Sequence, residues 1–259
     1  MIFGIFHEGS GLGNQLFRYV FTRVRALDMG VEFGMQNASK FKGASFLKID
    51  TGLPEFVDMN HYMSRFNEQK ITSGNGLDVR TYDNRIREIQ DSTIVDGEFQ
   101  DEKYFMHRLT EVNEWLTPLP YLPVMDKDEC VLAHRGGEYT LYPELYLTRK
   151  YWDDAMANMR KINPNVWFRV VTDDIFSAME MFPNLPISHE ISDDWKSIRY
   201  APWLILSNSS FGILPALLGP AKKIIAPLHW ARHNIAVWAL PQNCYTRFTY
   251  QDRQGNLYE

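Results

Sequence analysis

The chain opens on a short run of branched and aromatic apolar residues, positions 2–6, which has the pattern of a buried strand. A glycine-rich turn follows, Gly9-Ser10-Gly11-Leu12-Gly13. After it Leu16, Phe17, Val20, Phe21, Val24 and Leu27 fall at helical spacing. Asn14 stands where a helix cap is expected, and Gly30 supplies a stop. Strand, glycine turn and helix in this order open a dinucleotide-type fold. From about 34 to 92 the pattern is polar and broken by glycines, with short strand-like runs only, so it predicts the loop-rich part of a first half.

Three prolines within the eight residues Leu116 to Pro123 predict a linker, because proline resists both helix interiors and central strands. This divides the chain into an N-terminal α/β domain, 1–120, expected on the acceptor side, and a C-terminal Rossmann-like domain, 121–259. Beyond the prolines the alternation is clean. Strands are predicted at Cys130–Ala133, Val166–Val171, Trp203–Leu206 and Lys223–Ala226, with a weak one at Pro186–His189. Helices are predicted at Pro143–Lys161, Ile175–Phe182, Asp194–Ala201 and Ser210–Leu218; Leu147, Ala155, Met156 and Met159 form the apolar side of the first. Strands alternating with helices imply a parallel sheet covered on both faces.

Composition narrows the function classes. With 45% hydrophobic and 23% charged residues among 259, the chain can bury one large core or two moderate ones. The net charge is −5 with scattered Lys and Arg, so nothing suggests the basic face that nucleic acid requires. Cys130 and Cys244 follow no metal spacing, and reduced thiols are the expectation. The apolar start has no basic flank and ends at His7-Glu8, unlike a signal peptide. No stretch approaches the roughly 20 apolar residues of a membrane span. A cytoplasmic protein is therefore expected, with room for peripheral membrane contact but no feature that demands it.

In a parallel sheet ligands bind at the C-terminal ends of strands, so the residues after each strand carry the candidate chemistry. After the first strand come Gly11-Leu12-Gly13-Asn14-Gln15, an open backbone ahead of a helix start, or simply a tight turn. After 130–133 comes Arg135 beside Gly136 and Gly137: a forked donor for phosphate, or a surface arginine on a loop. Asp173 and Asp174 follow the next strand, and an Asp before a helix is most simply a cap. Ser207-Asn208-Ser209-Ser210-Phe211 offers hydroxyls and amides at a helix start, again either phosphate seat or caps. Singly these are ordinary; together they describe a seat for a diphosphate.

The same residues resemble a known family. Gly11-Leu12-Gly13-Asn14-Gln15-Leu16-Phe17 looks like the N-terminal signature of α-1,2-fucosyltransferases. The segment from Gly97 to Phe105, with Phe99-Gln100 ahead of Lys103-Tyr104-Phe105, resembles a second motif. The Arg135 loop resembles the family's His-x-Arg-Arg-Gly-Asp-Tyr. Thr172-Asp173-Asp174 stands where the family has Ser-Asp-Asp, Asn208-Ser209-Ser210-Phe211 matches a further motif, Asp194 precedes it at the family spacing, and Ile225-Ala226-Pro227 matches a later strand end. The chain departs from the family at three points of the Arg135 loop. The family's histidine falls on Ala133 with His134 one place later, its second arginine is Gly136, and its aspartate is Glu138.

The resemblance implies a GT-B-like α/β fold of two Rossmann-like domains with the active site in the cleft between them. It implies an inverting, metal-independent transfer of fucose from GDP-fucose to a glycan hydroxyl, with no cofactor besides the donor. Arg135 would bind the pyrophosphate and stabilise the leaving GDP, with Ser209 and Ser210 on a phosphate, Asp174 in the nucleotide site and Asp194 near the base. Asn14 would stand over the reacting centre, held by Gly11 and Gly13. Glu138 and Glu8, both at strand ends, are candidates for the base that takes the acceptor proton.

Alternatives remain open. One keeps the fold with another nucleotide sugar. A second is a relative that binds a sugar nucleotide or glycan without turnover. A metal-dependent transferase would use Asp126-Lys127-Asp128, although that triplet precedes a strand. A dehydrogenase would need a third glycine where Leu16 stands.

Overall fold

A computed structural model describes residues 1–56, 58–72, 78–79, 81–119, 125–236 and 245–259. The chain divides into two units, Met1–Pro120 and Tyr121–Glu259.

In the first unit β1 (Ile2–Ile5) is fully buried and leads into α1 (Leu12–Met29). Then come β2 (Phe33–Gln36), α2 (Met59–Tyr62), β3 (Ser64–Asn67), the small antiparallel pair β4 (Ile71–Thr72) and β5 (Asp78–Val79), β6 (Thr93–Asp96) and α3 (Leu109–Trp115). The main sheet is parallel in the order β2-β1-β6-β3. A Cβ at Gly4 would meet Thr22 Oγ1 at 2.2 Å, so this glycine sets how closely α1 packs on β1. The other side of α1 carries an aromatic cluster, with Phe21 stacked on Phe99 at 3.7 Å and Phe17 against Phe105.

Two details of α1 differ from the sequence reading. The helix starts at Leu12, with Gly11 as N-cap in extended conformation and no side-chain cap, so Asn14 lies inside the first turn rather than capping it. Leu27 is 44% exposed, on the solvent side of the last turn before Gly30 ends the helix in left-handed conformation. The elements between 34 and 92 are short, two to five residues each. The sequence pattern does not reveal β6 or α3.

The second unit holds β7 (Glu129–His134), α4 (Arg149–Ile162), β8 (Trp167–Thr172), α5 (Ile175–Met181), β9 (Ile187–Ser188) and α6 (Ile191–Tyr200). It continues with β10 (Trp203–Leu206), α7 (Ile213–Leu218), β11 (Lys223–Pro227), β12 (Thr249–Gln251) and β13 (Leu257–Tyr258). The sheet order is β13-β12-β11-β10-β7-β8-β9, parallel except for the edge strand β13. One face is filled by Trp152, Met156, Met159, Phe168, Val170, Phe182 and Ile205.

α4 begins six residues later than its pattern suggests. The carbonyls of Pro143 and Tyr146 accept from Asn234 Nδ2, and that of Leu145 from Asn208 Nδ2, so they serve tertiary contacts instead of a helical ladder. Leu147 still reaches the core. α6 starts three residues earlier than expected, which puts Asp193 and Asp194 in its first turn, where acidic groups suit the helix dipole. The predicted helix at Ser210 begins as a 3-10 turn, Ser210–Gly212, before α7. β12 and β13 are too short to show a periodicity. Of the predicted proline linker, residues 120–123 lie outside the described residues, as does Cys244. Cys130 is a free thiol buried in β7, and burial raises its pKa well above the ordinary value. Among the described residues no helix is long and apolar enough to cross a membrane.

The larger sheet reverses direction once and the smaller one twice. The chain grows from β1 to β2 on one side, crosses to β3 at the opposite edge and returns to β6 beside β1. It likewise grows from β7 to β8 and β9 on one side and returns through β10 and β11 on the other. Such reversals part the loops at the strand ends and open a crevice there.

Candidate active site

At the β7/β10 reversal of the second unit two loops come together. The first is Arg135-Gly136-Gly137-Glu138-Tyr139, directly after β7. The aspartates that follow β8 shape it from below. Asp173 accepts from Gly136 N (2.8 Å) and pairs with Arg135 (2.7 Å), and Asp174 accepts from Gly137 N (3.1 Å). Arg135 also pairs with Glu138 (2.5 Å) and lies over the Tyr139 ring at 5.2 Å.

The second loop, after β10, is Ser207–Ser210. Tyr139 reaches across to it, its hydroxyl donating to Asn208 O at 3.5 Å. Ser209 caps the 3-10 turn by accepting from Phe211 N, and Ser210 begins that turn. Two buried polar atoms here have no hydrogen-bond partner among the described residues, Arg135 Nε and Asn208 Oδ1. Leaving such atoms unpaired costs on the order of 1–3 kcal/mol each.

The acidic candidates divide by environment. Burial works to raise the Asp174 carboxyl, but backbone N–H groups of Ser177, Gly137 and Phe176 outweigh it and hold the group below the usual range. Its oxygens cap α5 and anchor the Arg135 loop together. Burial opposes ionisation of Glu138 too, yet a backbone N–H and the Arg135 guanidinium keep it low. Asp194 is 4% exposed, and burial pushes it up to about 6 although Ser188 Oγ donates to it at 2.6 Å. It lies in the first turn of α6, bonded to Ser188 of the edge strand β9.

His134, the neighbour of the family's histidine position, is a core residue. It bonds Thr172 Oγ1 (3.0 Å) and packs against Trp152 and Phe182, and burial lowers it to about 4. Asp126 and Asp128 lie at the opposite end of β7 from Arg135. Asp126 accepts from Asp128 N and Trp167 Nε1, and Asp128 from Asn163 Nδ2, so both serve the turn that starts the strand. Among the described residues no cluster of His, Cys, Asp and Glu is arranged to hold a metal ion.

The first unit has its own constellation at the β1/β6 reversal. Gly11 is open, since a methyl group placed on it would meet no atom within 4 Å, and Gly13 is buried in the first turn of α1. Asn14 Oδ1 accepts from Gln100 Nε2 at 3.0 Å, joining the glycine turn to the loop after β6. Buried Arg18 ties the same two loops, donating to Ser10 Oγ (2.7 Å), Gly97 O (2.7 Å) and Glu98 Oε1 (2.9 Å). Glu68 holds the second loop from the other side, accepting from Glu98 N, Phe99 N and the Tyr104 hydroxyl. That clamp fixes Phe99 at φ 49°, a conformation side chains rarely adopt.

His7 closes the group with a 2.7 Å bond from Nε2 to Asp96 Oδ1. Glu8 points away, 84% exposed and paired with Lys40. Sequence reading misses Arg18, Glu68, Asp96 and the pairing of Gln100 with Asn14. The signal for Arg18 is a charged residue within the apolar arc of α1.

The sequence matches no protein-family model and no curated protein. The fold is mixed α/β with parallel sheets, and it resembles that of a solved structure. Among solved structures, a mutant of Arabidopsis thaliana FUT1 in complex with GDP aligns with a TM-score of 0.52 at 10% sequence identity. The alignment covers 94% of this chain and 72% of that one.

Proposed function

We propose that the chain is an inverting glycosyltransferase that moves a sugar from a nucleotide donor, GDP-fucose as the first choice, to a hydroxyl of a glycan, without a metal. The observation that carries this reading is the meeting of the Arg135 loop with the Asn208–Ser210 loop at the β7/β10 reversal, where Tyr139 of the first reaches Asn208 of the second. A fold likeness to a protein solved with GDP agrees with it.

When the glycosidic bond breaks, negative charge grows on the departing diphosphate, and fixed donors must meet it. Arg135 supplies a planar guanidinium suited to that task. Ser209 and Ser210 offer hydroxyls on the neighbouring loop. Asp194, buried and close to β9, would meet the nucleobase, and Asn14 with Gly11 and Gly13 would face the sugar. Donor binding has to draw Arg135 away from Glu138. With Glu138 61% exposed, that pair is worth only about 0–1 kcal/mol, so the exchange is inexpensive.

Calorimetric titration with GDP and UDP in chelator tests the reading. GDP is expected to bind the wild type, and Arg135→Ala to weaken binding by roughly 2–5 kcal/mol, as when one partner of a buried charge pair is removed. Binding of UDP in place of GDP would keep the transferase and withdraw fucose. Binding of neither would remove the proposal.

A further inference from the structure

The Arg135 loop is short of positive charge for a polyanionic ligand. Arg135 is its one cation, and both terminal nitrogens already face carboxylates, Asp173 at 2.7 Å and Glu138 at 2.5 Å. Asp174 holds Gly137 N of the same loop; burial opposes its ionisation, but backbone N–H groups keep it below the usual range. One guanidinium thus stands among three carboxylates, and like charges repel an approaching diphosphate. The two glycines of the loop have no room for a second cation. A Cβ at Gly136 would meet Ser177 Oγ at 2.1 Å, and one at Gly137 would meet Asp173 Oδ2 at 2.9 Å. Resting on the donor reading above, we propose that Arg232 is the second cation of this seat and binds the donor's diphosphate together with Arg135.

The topology brings Arg232 there. It belongs to the 3-10 turn Trp230–Ile235, which follows β11. β11 is the neighbour of β10, so this turn follows the third of three adjacent strand ends, after those of β7 and β10. Leu228 N still bonds Gln251 O, so the sheet holds the chain almost up to the turn. Two asparagines then fasten their loops to one stretch of backbone, the continuation of the Arg135 loop. Asn234 Nδ2 donates to Pro143 O (2.5 Å) and Tyr146 O (2.6 Å), and Asn208 Nδ2 to Leu145 O (2.9 Å). Arg253 Nη1 adds a bond to Asn234 O at 2.8 Å.

The electrostatics agree with this placement. Burial raises the Tyr139 phenol, and the charges of Arg135 and Arg232 both act on it in the opposite direction. That hydroxyl is the one that donates to Asn208 O. Two guanidiniums nearly a hundred positions apart in the chain therefore bear on the group that joins the Arg135 loop to the serine loop. Arg232 is half-buried, which leaves its side chain open to a ligand. A guanidinium stays charged at any working pH and can meet two phosphate oxygens at once. Two of them suit a ligand with two phosphoryl groups.

The test is calorimetric titration of the full chain with GDP and with UDP in chelator, followed by displacement of the bound nucleotide with inorganic pyrophosphate. Wild type, Arg232→Gln and Arg232→Lys are compared, and the melting temperature of each is recorded. Arg232→Gln is expected to weaken the nucleotide that the wild type binds by about 10-fold or more, and pyrophosphate by a similar factor, the usual loss for hydrogen bonds to a charged group. Arg232→Lys keeps the charge but not the fork, so its affinity is expected to fall between the two. Melting temperatures are expected to stay close to the wild type, because Asn234 fastens the turn.

An Arg232→Gln variant that binds the nucleotide as tightly as the wild type would overturn the assignment and leave the donor reading standing. So would weaker nucleotide binding with unchanged displacement by pyrophosphate, since the diphosphate would not then be the group that Arg232 meets. Lost affinity in both variants with a matching fall in melting temperature would also overturn it, as the mark of a residue that only holds the fold. Wild-type protein that binds neither nucleotide would instead overturn the donor reading on which this one rests.

Discussion

A methyl group at Gly136 would meet Ser177 Oγ at 2.1 Å and Asp174 Cβ at 2.7 Å. Both neighbours are fixed, Ser177 by its bond to Asp174 O and Asp174 by capping α5. The position that holds a second arginine in the family motif cannot carry any side chain here unless the loop moves. The departure from the motif is therefore built into the packing around Asp174. Gly136→Ala is expected to destabilise the protein by about 1–3 kcal/mol, the usual effect of overpacking, and to weaken GDP binding because Arg135 shifts with the loop. Thermal denaturation together with GDP titration checks it. An unchanged melting temperature with full affinity would show that the loop adapts freely.

Among the elements, α5 is only seven residues long, too short to be stable without outside support. Asp174 provides part of that support by accepting from Phe176 N and Ser177 N, and its second oxygen holds Gly137 N. One carboxylate therefore starts a helix and sets the loop that presents Arg135. Asp174→Ala is expected to cost about 1–2 kcal/mol in urea denaturation, near the upper end for a lost cap, whereas Asp174→Asn, still a capping residue, should cost less. α1 makes the contrast. It has no side-chain cap, and Arg18 and Gln15 tie it to the rest of the first unit through Gly97 O and Lys40 O.

At the scale of the whole molecule, His134, His233 and Asp194 of the second unit are buried ionisable groups that make stability vary with pH. Burial lowers His134 and His233 to about 4, against roughly 6.5 for a free imidazole. Their folded-state pKa values are depressed, so the neutral rings contribute stability above about pH 6.5 that is lost as pH falls toward 4. Asp194 has the opposite sign. Burial raises it to about 6, so its contribution is present at low pH and lost as pH rises through 6. Two histidines outweigh one aspartate, and stability is expected to drop by about 2 kcal/mol between pH 7 and 5. Asp194→Asn should raise stability at pH 7 and steepen that drop, because the compensating protonation is gone. Urea midpoints at the two pH values measure both effects.

Much of this molecule is written locally. The apolar runs that form β1, β7, β8, β10 and β11, and the residues just after them, are readable because strand periodicity and turn chemistry act over a few neighbours. The same holds for Arg135 after β7 and Ser209–Ser210 after β10. Element ends are less legible wherever a distant side chain decides them. Asn208 and Asn234 take the carbonyls that would have extended α4 backwards, and an extended Gly11 starts α1 ahead of Asn14. Which strands are neighbours cannot be read at all, since that depends on long-range packing. Placing β10 beside β7, and β6 beside β1, is what joins the Arg135 loop to the Asn208 loop through Tyr139, and His7 to Asp96. Neighbouring residues are enough to mark the ends of β1, β7, β8, β10 and β11, whereas long-range packing settles which strand ends meet.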